Sequence, residues 1–299
     1  MDQPLSNLQE NSQEALIAIH GVSCQVPAGW EVVGTYGGWR KGHLLVAAGR
    51  EPRVSVSWRR HAAAPDLART LHAAGSRLDR SHVAGTLMRQ DELATNLLLG
   101  AWTGPQGDFH AAVRHFPAQE VTVVARQLAP GPSEPLRQLI SSVQAVAARD
   151  GSRWAIYGLA LDLPAWWRLE GLQQLAGLVR GVWFRYPQGR LRPDQVLVMR
   201  RLACASRLLQ GRTLGAWVQG GLVRHERVVG DDEHQGLVHL STELPSAHLW
   251  RRLIGRRDRR EIYAWTQPAG DRLLVQEWRG ATDPLPCLRD SQRSPRFKP

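Results

Sequence analysis

The chain is 299 residues long, with 43% hydrophobic and 22% charged residues. That is enough for the packed cores of two ordinary domains and excludes wholesale disorder. The three cysteines, Cys24, Cys204 and Cys287, are far apart, which excludes a disulfide framework and a CxxC-type zinc site and makes them read as buried free thiols. The formal net charge is +11 and is unevenly spread: residues 1–149 carry 14 basic against 12 acidic side chains, residues 150–299 carry 24 against 15, and the only lysines are Lys41 and Lys298.

The first 14 residues are polar and acidic. They lack the basic start and apolar stretch of a secretory signal, so a disordered tail and a cytoplasmic location are expected. No apolar run approaches the roughly 20 residues of a membrane-spanning helix. Leu16–Val26 reads as one strand, closed by a turn at Pro27-Ala28-Gly29. In Val54–Arg60, Val54, Val56 and Trp58 alternate with Ser55 and Ser57, the period of a half-buried strand. Pro65-Asp66 opens a helix whose face holds Leu67, Leu71, Ala74 and Leu78. "TNLLLGAWT" and "FHAAVRHF" are strands joined through Gly104–Asp108, and "EVTVVARQL" is another. "PSEPLRQLISSVQAV" reads as a closing helix burying Leu136, Leu139, Ile140, Val143 and Val146.

The second half repeats the first. Ile19, Gly21, Pro27, Ala28, Trp30 and Gly34 recur as Ile156, Gly158, Pro164, Ala165, Trp167 and Gly171, each 137 residues on. The correspondence continues in order: Lys41-Gly42 with Arg180-Gly181, Val54–Arg60 with Gln195–Arg201, Arg69–Leu71 with Arg212–Leu214, Pro117-Ala118 with Pro268-Ala269, and Pro135–Leu139 with Pro284–Leu288. Collinear matches of this kind indicate a duplicated domain, with repeats at 15–149 and 153–290 and a basic tail at 291–299. Trp30 and Trp167 are expected to be equivalent core anchors. Pro286 should shorten the last helix of the second copy.

Each copy, with its Pro-x-x-Trp after the first strand, a sheet, a middle helix, a strand hairpin and a closing "LISSVQ" helix, resembles the PsbP-like α/β/α sandwich. That resemblance implies an α+β fold of two tandem repeats, each an antiparallel sheet sandwiched by helices. It also implies partner binding rather than catalysis, with no shared active site to carry over.

No GxSxG, HExxH, P-loop or GxGxxG pattern is present, so no catalytic residue, cofactor or metal is expected. His110 and His115, five apart on a strand, point to opposite faces. Asp231–His234 reads as a solvated turn. The distinctive polar cluster is Arg251, Arg252, Arg256, Arg257, Arg259 and Arg260. Aligning Gly255 on Gly104 puts it at a hairpin tip, where it is either solvated charge that protects an edge or a contact for a partner. The leading expectation is a non-enzymatic interaction protein with an acidic protein partner. The alternatives are nucleic-acid binding through the basic second half and a hydrolase with a site between the domains.

Overall fold

A computed structural model describes residues 14–61, 63–79, 86–104, 107–147, 150–157, 159–188, 191–223, 226–234, 236–245, 257–267 and 271–280. The chain divides into two compact units, residues 1–147 with 153–156, and residues 148–152 with 157–299.

Unit 1 runs β1 (Ala15–Ile19), β2 (Val22–Val26), β3 (Trp30–Gly37), β4 (Lys41–Ala48), β5 (Glu51–Arg60), α1 (Leu67–Asp79), β6 (Thr86–Ala94), β7 (Leu97–Gly104), β8 (Gly107–Phe116), β9 (Val121–Gln127), α2 (Glu134–Ser142) and β10 (Gln144–Ala145), and it includes most of β11 (Ser152–Ile156). Its large antiparallel sheet has the order β3-β4-β5-β9-β8-β7-β6. A small antiparallel sheet is built from β10, β2, β1 and β11.

Helix α1 packs on β7 and β8. Its Leu71 and Ala74 meet Leu98, Trp102, Phe109, Ala111 and Val113. Gly75 is needed there, because a Cβ on it would lie 2.1 Å from the Trp102 ring. On the other face α2 packs against β2, β8 and β9, burying Leu136, Leu139 and Ile140. Two arginines tie the loops of this unit down. Arg60 donates to the carbonyls of His20, Trp39, Gln119 and Val146 at 3.1–3.3 Å. Arg114 donates to those of Ile140, Ser141 and Val143 at 2.6–3.1 Å, satisfying the otherwise open C-terminus of α2.

Unit 2 runs β12 (Leu159–Leu163), β13 (Trp167–Leu175), β14 (Leu178–Arg185), β15 (Gln195–Ala203), α3 (Ala205–Leu209), α4 (Leu214–Leu222), β16 (Arg227–His234), β17 (Leu237–Pro245), β18 (Arg257–Gln267) and β19 (Arg272–Gly280). Its sheet has the order β13-β14-β15-β19-β18-β17-β16, the same as the large sheet of unit 1 when strands are taken in sequence. The edge strands β3 and β13 carry bulges just before Gly34 and Gly171. The opposite edges β6 and β16 carry bulges facing Ala101–Trp102 and Ser241–Thr242. Counting along the ladders from either bulge gives the same correspondence: Trp102 with Thr242, Phe109 with Arg260, and Arg126 with Glu277.

The architecture departs from the expected α+β, PsbP-like arrangement of sheets sandwiched by helices. The chain is mostly β, with three antiparallel sheets and short helices. Three local features account for the difference. Leu16–Val26 is two strands, because His20 (φ 52°) and Gly21 (φ 73°) form a tight turn between them. A Cβ at Gly21 would also sit 2.5 Å from Trp39. The closing helix ends at Ser142. Val143 turns away with ψ 131°, and Gln144-Ala145 join the small sheet instead. In unit 2 the middle helical region is broken between α3 and α4 at Gln210 (φ 50°) and Gly211 (φ 76°). The expected tails, Leu78's side chain and the second closing helix at 284–288 lie outside the described residues.

Candidate functional site

The arginines of unit 2 gather on the sheet face that also carries the core under α4. In that core Leu214 and Val218 pack with Leu240, Ile262, Leu273 and Val275. Glu277 pairs across the ladders with Val198 on β15 and Ile262 on β18, so its side chain lies on this face. It has no solvent exposure. Arg260 Nε donates to its Oε1 at 3.0 Å, Arg279 Nε to the same oxygen at 2.5 Å, and Arg200 Nη1 to Oε2 at 2.9 Å. Arg260, itself 4% exposed, also donates to the carbonyl of Leu222 at 3.0 Å, capping α4, and pairs with Glu226. Glu226 in turn accepts from Thr242 Oγ1 at 2.6 Å. Burial pushes the Glu277 carboxyl up, but the Arg260, Arg279 and Arg200 charges and the Arg260 hydrogen bond outweigh it and hold the group at about 2.

Beyond Glu277 the face opens. Arg180 lies directly opposite Arg200 and has no acidic partner among the described residues. Val182, Phe184 and Val196 are half-buried on the same face. Arg168 lies opposite Phe184 and sits 5.3 Å from the centre of the Tyr186 ring. The side chain of Arg279 is 45% exposed.

The other face carries a second polar group. Glu261, 1% exposed, accepts from Ser241 Oγ at 3.0 Å, lies 2.6 Å from His239 Nε2 and pairs with Arg259. The His239 and Tyr263 rings stack at 4.5 Å. Burial raises the Glu261 pKa, and its hydrogen bonds with His239 and Ser241 and the Arg259 charge bring it below the ordinary value. The order of groups is wrong for a nucleophile relay, which needs the imidazole between hydroxyl and carboxylate. Here the carboxylate lies between the other two.

The six arginines singled out from the sequence divide. Arg251, Arg252 and Arg256 lie outside the described residues. Arg257, Arg259 and Arg260 are in β18, paired in register with Pro245, Glu243 and Thr242. The hairpin-tip placement is therefore corrected: Arg260 is a buried member of an ion network and Arg259 pairs with Glu261. Aligning Gly255 on Gly104 puts Arg260 at Phe109, as the ladder correspondence does; the tip placement fails because Phe109 lies within β8 and Arg260 within β18. Arg180, Arg200 and Arg279 escaped the sequence reading, since nothing local marks them as neighbours.

Other residues singled out from the sequence take different places. Asp231–His234 form part of β16 rather than a turn. Cys24 is 3% exposed and burial pushes its thiol up to about 12, whereas Cys204 is exposed before α3 and is not a buried thiol; Cys287 lies outside the described residues. His110 contacts Gln127 at 2.9 Å and His115 contacts Thr122 at 3.0 Å. Among the described residues no group of three His, Cys, Asp or Glu could hold a metal, and no helix is long and apolar enough to cross a membrane. Trp167 is 5% exposed, but Trp30 is half-buried. It lines an open cavity of about 290 Å³ with Arg53, Gln127, Pro130 and Pro135.

No family model matches the chain, and no curated protein matches it. Among solved structures it is similar to the T6SS immunity protein TplEi from Pseudomonas aeruginosa complexed with an "L" peptide, at 9% identity, over 95% of this chain and 94% of that one, with a TM-score of 0.32. At that score the likeness carries no argument, and function rests on the site.

Proposed function

We propose that this chain is a non-enzymatic interaction protein whose second unit takes up an acidic protein partner. We also propose that its two units arose by duplication and then diverged on one sheet face. The observation that carries this reading is the facing pair Arg180 and Arg200. Like charges directly opposite each other on a ladder are destabilising. Arg200 has Glu277 to balance it, while Arg180 has no carboxylate among the described residues. A partner carboxylate supplies the missing charge, and Arg's planar fork suits it. At the place where unit 1 has Arg126, unit 2 has Glu277, and Glu277 organises three arginines around itself. Unit 1 has no such gathering among its described residues.

The test compares retention of the full chain on immobilised polyglutamate and on duplex DNA, at about 50 and 500 mM salt. Binding to polyglutamate at low salt, weakened by salt and exceeding that to DNA, supports the reading. Stronger retention on DNA overturns it in favour of nucleic-acid binding, and no retention on either surface overturns it outright.

A further inference from the structure

We infer that the open half of the unit 2 sheet receives a peptide segment of mixed chemistry, in which a carboxylate engages Arg180 and a large apolar side chain seats on Val182 and Phe184. The inference rests on the acidic-partner reading and specifies its surface and partner.

Along β14, residues 180, 182 and 184 lie on one face by strand alternation, in the order Arg, Val, Phe. Val182 pairs with Val198 and Phe184 with Val196 on β15, so the apolar strip is two strands wide. Phe184 pairs with Arg168 on the edge strand β13. Arg180 therefore stands as a cation at one end of the apolar strip, while at the other end Arg168 shares Tyr186 with the carboxylate of Glu170. Helix α4 packs on β18, away from these strands, and leaves Val182, Phe184 and Val196 half-buried. Nucleic acid suits this surface less well, because Arg200 and Arg279 already share the buried Glu277, leaving few unpaired cations to neutralise successive phosphates.

Trp166 is a second, independent pointer to the same end of the sheet. Its carbonyl accepts from Tyr186 N at 2.9 Å, just beyond Arg185 at the end of β14. Trp166 has φ 76° and is 37% exposed. In unit 1 the corresponding residue is Gly29, with φ 80°, which is the residue type such a turn asks for. A bulky side chain in this backbone region is strained. An exposed tryptophan held there against a local cost fits a contact that ends the apolar strip.

The test uses fluorescence anisotropy on the full chain with two labelled probes of equal charge: a peptide alternating Glu with Phe and Val, and polyglutamate. The variants are Arg180→Glu, Phe184→Ser and Trp166→Gly. The mixed peptide should bind about tenfold more tightly than polyglutamate. Arg180→Glu should weaken both probes, whereas Phe184→Ser and Trp166→Gly should weaken only the mixed peptide. Trp166→Gly should not lower the unfolding midpoint, so its loss of binding cannot be a folding defect. Arg180→Glu should also gain affinity for a matched Lys-Phe-Val peptide, which a structural role does not produce. Equal affinity for the two probes in the wild type, or indifference of the mixed peptide to all three variants, overturns this surface while leaving the acidic-partner reading in place. Failure of both acidic probes to bind overturns both.

Discussion

Arg260 of unit 2 stands at the ladder position that Phe109 fills in unit 1, and the residue opposite it is Thr242 where Phe109 faces Trp102. One unit fills this place with two aromatic rings against a helix; the other fills it with a guanidinium joined to Glu277 and Glu226.

Removing Arg260 should therefore act as removal of a core group. Arg260→Ser leaves Glu277 buried without its central partner, and breaking a buried pair costs about 3–5 kcal/mol. Arg180→Ser removes a charge that faces another of the same sign. It should change stability by less than about 0.5 kcal/mol, or raise it. Urea unfolding of both variants checks the contrast. Equal, small effects would place Arg260 at the surface after all.

Acid should destabilise unit 1 before unit 2. His20 is 5% exposed, and burial, with a contribution from the Arg60 charge, lowers its pKa from 6.5 to about 4. The unfolded chain thus binds the proton first as pH falls. Stability from this group is full above 6.5, falls between 6.5 and 4, and amounts to about 3 kcal/mol. His43 and His61 are lowered as well and act with the same sign. Glu277 works lower: its contribution is full above 4.5 and is lost as pH falls towards 2. Unfolding midpoints followed from pH 7 to 4.5, with tryptophan reporters in each unit, should drop in unit 1, and His20→Gln should flatten that drop.

Leu139 is 1% exposed on the face of α2 that meets the sheet. Leu139→Ala should cost about 2–5 kcal/mol, as large-to-small core changes do. A loss well under 1 kcal/mol, seen in denaturant titration, would mean that α2 is not part of the unit 1 core.

Much of this was legible in the sequence where the signal is local. The alternation of Val54, Val56 and Trp58 marks a strand that buries all three. Asp66 begins α1, with its carboxylate accepting from the Arg69 amide at 2.9 Å. The repeated Gly34 and Gly171 fall at matching bulges. What stayed hidden depends on register. Arg200 and Arg279 come together because β15 and β19, far apart in the sequence, become neighbours, Arg180 faces Arg200 through the register of β14 on β15, and no periodicity fixes which residues then face each other. Local density misled in the opposite direction: six arginines close in sequence looked like one feature, yet β18 sends Arg259 and Arg260 to opposite faces. His20 and Trp166 hid their turns because neither is the glycine that usually announces a positive φ.

The most direct measurement of the central claim is hydrogen exchange of the full chain with and without an excess of the Glu-Phe-Val peptide. Exchange should slow in β13, β14 and β15, residues 167–203, with unit 1 unchanged. Protection confined to unit 1, or to β17 and β18 with β14 unaffected, would contradict it.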